Sequence, residues 1–355
     1  MIYIIVGTRA QLIKVAPVMI QLGNRSVDFS FVFTGQHTST INDLIGVFGI
    51  PNPDLRLYDG KEITKTSQVP SWSAECIRKS LSAKDFFQQG DIALVHGDAY
   101  SAILGAIIAK SMGMKIGHIE AGLRSYDLFN PFPEEIIRVL TSRMTVFHFC
   151  PGEWAVNNLK RNRGVKIDTK LNTLYDALRL FGEDEASIDI PDNMYGIVSI
   201  HRFENIFNKR RLEFIVGLIG EISEKVSLLF VLHPSTRNSL KRYGLLETLE
   251  QNGNIELRPR YDYLKFVKLM MDSEFVITDG GSNQEECYYL GKPCLLFRDK
   301  TERLEGLGRN VVLSRFDRRT IHYFIGHYER YRYPELRIDR SPSGVIADFL
   351  DKVSG

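Results

Sequence analysis

The sequence predicts an α/β protein made of two Rossmann-like, doubly wound parallel-sheet domains. Three observations carry that expectation: the length, the alternation of short apolar β-rich runs with amphipathic helical stretches, and the restart of that alternation after one charged, turn-rich segment. At 355 residues the chain exceeds the size at which a single hydrophobic core usually stops growing. Apolar residues at 44% and charged residues at 25% fit a globular chain and exclude a disordered one.

In chain order, the first half reads as strands at 2–6, 29–33, 92–95, 115–119 and 146–149, with helices at 11–22, 102–112 and 134–143 between them. The stretch from Gly182 to Asn193 is the linker candidate, so the domains are expected at 1–182 and 193–355. Strands at 195–200, 227–232, 275–278 and 293–297 then alternate with helices at 209–225, 264–271 and 284–290. The last predicted helix, 343–353, could cross back onto the first domain. Two such units predict a ligand cleft facing the carboxyl ends of both sheets.

Charge narrows the partners. A net charge of +2, from 45 basic and 43 acidic residues, gives no reason to expect nucleic acid or an anionic membrane. The four cysteines (Cys76, Cys150, Cys287 and Cys294) lack metal or redox spacing and read as unpaired thiols of a reducing cytoplasm. The strand at 2–6 leaves no room for a signal peptide, and no apolar run approaches a membrane span, so a cytoplasmic protein is expected.

Four constellations lie at predicted strand ends. Gly7-Thr8-Arg9 follows the first strand, with Lys14 on the next helix; a strand–glycine–helix junction attracts anions, although no GxGxxG fingerprint of a dinucleotide site is present. Thr278-Asp279-Gly280-Gly281-Ser282-Asn283 ends a buried strand and opens a helix with a Ser/Asn cap, a cradle for a diphosphate, with Glu286 one turn on as a partner for a ribose diol. Asp98 and Glu120 each follow a strand, and Glu134 (or Glu135) opens a helix after Pro131-Phe132-Pro133. Carboxylates gathered in one cleft shift one another's proton affinity, so that one can act as base and another as acid. His201, followed by Arg202, ends a strand where it could bind phosphate or move a proton; His233 is similarly placed. His96 and His118 are read as satisfied structural histidines, and no His/carboxylate spacing suggests a metal.

Together these stretches resemble the UDP-N-acetylglucosamine 2-epimerase family. The similarity also takes in Thr34-Gly35-Gln36-His37, Gly117-His118-Ile119-Glu120-Ala121-Gly122, Gly291-Lys292-Pro293 and Arg298-Asp299-Lys300-Thr301-Glu302-Arg303. It implies a GT-B-like pair of domains, usually a homodimer, without metal or nicotinamide cofactor. The chemistry implied is elimination of UDP to a 2-acetamidoglucal, then re-addition after C2 is reprotonated on the other face. By motif position, Asp98, Glu120 and Glu134 resemble the acid/base carboxylates; Arg9, Lys14 and His201 resemble a diphosphate clamp. Gly280, Gly281, Ser282, Glu286, His233 and Arg303 fall to UDP binding, and His201 also stands among the catalytic candidates.

The departures matter as well. Ala10-Gln11 replaces a usual Pro-Glu, removing a carboxylate; Phe203 replaces a second arginine; Leu171 replaces a glycine; and Thr38-Ser39-Thr40 replaces a segment that helps bind an activating UDP-GlcNAc in bacterial members. The alternatives left open are a hydrolysing 2-epimerase releasing UDP and free sugar, a GT-B glycosyltransferase, and a non-catalytic UDP-sugar sensor.

Overall fold

The computed structural model describes residues 1–37, 41–128, 132–180 and 188–354. Thr38-Ser39-Thr40, Pro131 and the first part of the expected linker, 182–187, lie outside the described residues. The chain divides into two compact units, Met1–Leu180 with Ile338–Gly355, and Phe181–Arg337.

The first unit has strands β1 (Ile2–Val6), β2 (Phe29–Phe33), β3 (Leu55–Arg56), β4 (Ile92–His96), β5 (Lys115–Ile119), β6 (Phe147–Cys150) and β7 (Val165–Asp168). They form one parallel sheet in the order β3-β2-β1-β4-β5-β6-β7. The chain winds outward from β1 to β3, then crosses back to place β4 against β1. That reversal is the switch point at which open α/β sheets bind ligands. Val6, His96 and Ile119 end β1, β4 and β5, so the loops after them share one end of the sheet.

Close packing fixes the first of these loops. A Cβ on Gly7 would lie 2.0 Å from Thr34 Oγ1 and 2.7 Å from Ser101 Cβ, so only glycine fits. Thr8 caps the helix Arg9–Asn24 in a capping box with Gln11.

The second unit repeats the plan with β8 (Tyr195–Ser199), β9 (Ser227–Leu232), β10 (Ile255–Pro259), β11 (Phe275–Thr278), β12 (Cys294–Leu296) and β13 (Val311–Leu313). Its parallel order is β10-β9-β8-β11-β12-β13, with the switch point between β8 and β11. Leu212, Ile215, Leu218, Ile219 and Ile222 of the helix Lys209–Ser223 pack onto Val198, Phe230 and Ile277 of the sheet. The 3.6-residue apolar spacing of that helix is thus spent on the core.

The second unit ends at Arg337, short of residue 355. The final helix, Pro342–Ser354, belongs to the first unit, where Phe349 packs edge-on against Phe147 and Phe149 at 5.2 and 5.6 Å. Arg25 Nε and Nη2 hold Asp348 Oδ1 at 2.9 and 2.8 Å, and Ser343 N donates to Asp176 Oδ2 at 2.7 Å.

Candidate functional site

In the first unit the candidate site centres on Glu120. It follows β5 with φ at 63°, left-handed for a residue with a side chain. Such a backbone costs about 1–3 kcal/mol and persists where the surroundings impose it, commonly at functional positions. Lys14 Nζ and Asn172 Nδ2 both donate to Glu120 Oε1, each at 2.7 Å. His96 Nε2 stands 3.4 Å from the other oxygen, Oε2. Lys14, expected in a diphosphate clamp, is buried in this ion pair.

Asp98 leaves β4 beside this group. Arg138 Nε and Nη2 both donate to its Oδ2, at 2.8 and 2.5 Å. Arg138 lies one turn along the helix Glu134–Met144 from Glu134, on the same face, so the helix start and the Asp98 loop are brought together. Glu135 is a structural residue: fully buried, it accepts from Arg124 Nε at 2.5 Å and from Ser125 N at 2.9 Å. That separates the two adjacent glutamates and leaves Glu134, half-buried, as the candidate.

The two histidines of this region differ. His118 Nε2 bonds Gly97 O at 2.8 Å, as a structural histidine should. His96 departs from that expectation, since neither of its ring nitrogens has a hydrogen-bond partner. Burial pushes its pKa down to about 4, outweighing the raising effect of Glu120, so the ring is neutral near pH 7.

Position 11, where the family pattern has a carboxylate, turns inward. Gln11 Oε1 accepts from Gly7 N, Thr8 N and Ser101 Oγ at 2.9, 3.1 and 2.6 Å, while Gln11 Nε2 donates to His96 O at 2.7 Å. The amide ties the β1 loop to the end of β4. Arg9 opens the helix Arg9–Asn24 and is half-buried.

In the second unit the helix Gly281–Leu290 starts at the end of β11. Its N-cap is Gly280, not the expected Ser/Asn cap: the cap residue makes no side-chain hydrogen bond, and Ser282 lies inside the first turn. With no acidic residue in that turn either, the uncompensated helix dipole favours an anion. Arg303 packs directly over Gly281, whose missing side chain gives it room: a Cβ there would lie 2.7 Å from Arg303 Nε. Arg303 Nη1 in turn pairs with buried Glu285 Oε1 at 2.6 Å. Glu286 accepts at Oε2 from Asn283 Nδ2 at 2.8 Å.

His201 stacks on His233, with ring centroids 4.6 Å apart and planes 23° from parallel. Asp279, to which no function attached in the sequence, fixes this loop. Wholly buried, its carboxylate accepts from the backbone N–H groups of His201 and Arg202 at 3.0 and 2.9 Å, and from Asn205 Nδ2 at 2.9 Å. Asn172 and Arg138 are the other residues that only the structure identifies. Among the described residues, no group of three or more His, Cys, Asp or Glu could hold a metal ion, and no helix is long and apolar enough to cross a membrane.

Comparisons with known proteins meet this geometry. The family model described as UDP-N-acetylglucosamine 2-epimerase matches residues 21–325. The chain is 35% identical over 330 residues to the UDP-N-acetylglucosamine 2-epimerase of Methanocaldococcus jannaschii, covering 88% of this chain and 87% of that protein. It is 32% identical over 326 residues to the UDP-2,3-diacetamido-2,3-dideoxy-D-glucuronate 2-epimerase of Pseudomonas aeruginosa, covering 87% of each. The crystal structure of the Neisseria meningitidis UDP-GlcNAc 2-epimerase bound to UDP-GlcNAc superposes with a TM-score of 0.84 at 28% identity, over 99% of both chains. The two parallel α/β units are those of the GT-B-like epimerases, and with a family match across most of its length the chain belongs to the UDP-N-acetylglucosamine 2-epimerase family.

Proposed function

We propose that the protein interconverts UDP-GlcNAc and UDP-ManNAc, or a closely related pair of UDP-N-acetylamino sugars, by eliminating and re-adding UDP. The observation that carries this reading is the placing of Asp98 and Glu120 after adjacent strands, each with its own cationic partner, Arg138 and Lys14. One carboxylate takes the C2 proton as the C1–O bond to UDP breaks and the C1–C2 double bond forms. A second delivers a proton to the opposite face of C2, and UDP returns to C1. The carboxylate that acts as acid carries a proton taken up from solvent, and Arg138 and Lys14 hold the two carboxylates in place. Glu134 completes the acid/base set.

On the second unit, the start of the helix Gly281–Leu290 receives the diphosphate, together with His201, His233 and Arg303, while Glu286 takes the ribose; on the first unit, Arg9 at the start of its helix is an anion contact. Lys14 serves Glu120 rather than phosphate. The protein works as a cytoplasmic homodimer on precursors of a surface polysaccharide; its four buried, unpaired cysteines suit a reducing compartment.

The test is proton NMR and phosphorus NMR of the protein with UDP-GlcNAc in heavy water, without acceptor. Deuterium entering C2, with a second anomeric phosphate signal at equilibrium, is the expected result. Accumulating UDP and free N-acetylmannosamine would replace it with the hydrolysing reaction. No exchange with either UDP-GlcNAc or its diacetamido relatives would overturn it.

A further inference from the structure

His96 presents a physical problem that the reaction scheme leaves unsolved. It is 3% exposed, yet Nδ1 and Nε2 both lack a hydrogen-bond partner. Buried polar atoms are nearly always paired, so two orphans in one ring, at the ligand-binding end of the sheet, need a reason. The main chain gives the ring little freedom. Its carbonyl is held by Gln11 Nε2 at 2.7 Å, and the next residue donates from Gly97 N to Ile119 O at 3.0 Å. A Cβ at Gly97 would lie 3.1 Å from Glu120 Oε2, so glycine leaves that oxygen room to face the ring.

We propose that His96 is a positioning residue for Glu120: its ring donates from Nε2 to Glu120 Oε2 and aims that carboxylate at the sugar. This rests on the function proposed above. Glu120 Oε1 already accepts from Lys14 and Asn172, so its orientation depends on what meets Oε2. At 3.4 Å the bond is not yet made, and an approach of about 0.5 Å completes it.

The charged and titratable groups facing the ring are Lys14 from the helix Arg9–Asn24, His118 from β5, Glu120 after it, and Asp98 beyond β4. Burial outweighs the two carboxylates and keeps the ring neutral. No partner at Nδ1 dictates the tautomer. An ionised Glu120 therefore selects the one with its proton on Nε2.

The experiment follows C2 deuterium exchange against pH in the wild type, His96→Phe and His96→Asn, with nitrogen-15 NMR of the histidine rings. In His96→Phe the loss of a donor to a charged group should lower kcat about ten- to hundredfold, leave KM within about twofold, and move the acid limb of the pH profile upward. His96→Asn keeps a donor and should recover most of the rate. The ring spectrum should show the Nε2–H form from about pH 5.5 to 8.

A folded His96→Phe protein with wild-type kcat and acid limb would overturn the proposal, as would an Nδ1–H ring in the wild type. If His96→Phe does not fold, His96→Asn and the ring spectrum decide. Should the wild type fail to exchange C2 deuterium, the proposed function falls; the ring spectrum of wild type against Glu120→Gln then still decides whether His96 donates to Glu120.

Discussion

Lys14 Nζ lies 2.7 Å from Glu120 Oε1, with only 4% and 5% of the two side chains exposed. A pair so deeply buried is costly to break, because the surviving charge is left in a low dielectric without its partner. Lys14→Met should therefore destabilise the first unit by about 3–5 kcal/mol, and adding Glu120→Gln should recover at least half of that. Urea unfolding of the two proteins checks this. If Lys14→Met instead unfolds like the wild type and loses only UDP affinity, the lysine belongs to the diphosphate clamp that the motif resemblance implied.

Adjacent glutamates at one helix start should give opposite phenotypes. Glu135, paired with Arg124 and capped by Ser125 N, is structural, so Glu135→Gln should lower stability by about 2–4 kcal/mol. Glu134→Gln should leave thermal unfolding unchanged while cutting turnover by roughly a hundred- to ten-thousandfold, the range for a positioned proton-transfer group. Measuring melting temperature and C2 exchange on both variants separates the roles.

What the sequence reveals about the fold divides along a physical line. Its apolar runs mark β1, β2, β4, β5, β6, β8, β9, β11 and β12, which are all interior strands. The four without such a run, β3, β7, β10 and β13, are the four sheet edges. An edge strand is short and half-exposed, as Val165-Lys166-Ile167-Asp168 of β7 shows, so it lacks a buried-strand pattern. The site divides similarly. Carboxylates after interior strands were legible because strand ends predict where side chains emerge. Arg138, Asn172 and Asp279 were not, since their roles depend on pairing across 40, 52 and 78 positions of sequence. His96 differs from the satisfied histidine that its position predicts, because spacing cannot show whether a buried ring finds a partner. Gln11 stood out as a departure from the family pattern, but that its side chain would turn into the capping box is a matter of geometry.

His148 gives a pH prediction with a definite sign. Burial pushes its pKa down to about 4 from 6.5, and its Nε2 is within 2.9 Å of Arg163 O. Above the unfolded value both states are neutral and this residue adds no pH dependence. As pH falls from about 6.5 towards 4, the unfolded chain binds a proton that the folded chain refuses, so stability drops by up to about 1.4 kcal/mol per pH unit. In His148→Gln the amide can still donate to Arg163 O but cannot titrate. Denaturation between these pH values should show a shallower slope for the variant; parallel slopes would show that this histidine titrates alike in both states.

Asp279 is the residue whose replacement should separate ligand binding from proton chemistry. Its two oxygens accept from His201 N, Arg202 N and Asn205 Nδ2 while wholly buried. In Asp279→Asn one oxygen becomes an NH2 group facing other donors, which loses hydrogen bonds and adds repulsion where no water can compensate. The second unit should lose about 2–4 kcal/mol of stability. Because the same bonds hold His201 and Arg202 in place beside the helix start at Gly281, UDP affinity should fall about tenfold or more with them. Asp98→Asn, on the first unit, should instead keep UDP affinity within about twofold while turnover is lost. Calorimetric titration of UDP into both variants checks the contrast. Equal UDP affinity in Asp279→Asn and the wild type would mean that the His201 loop does not hold the nucleotide.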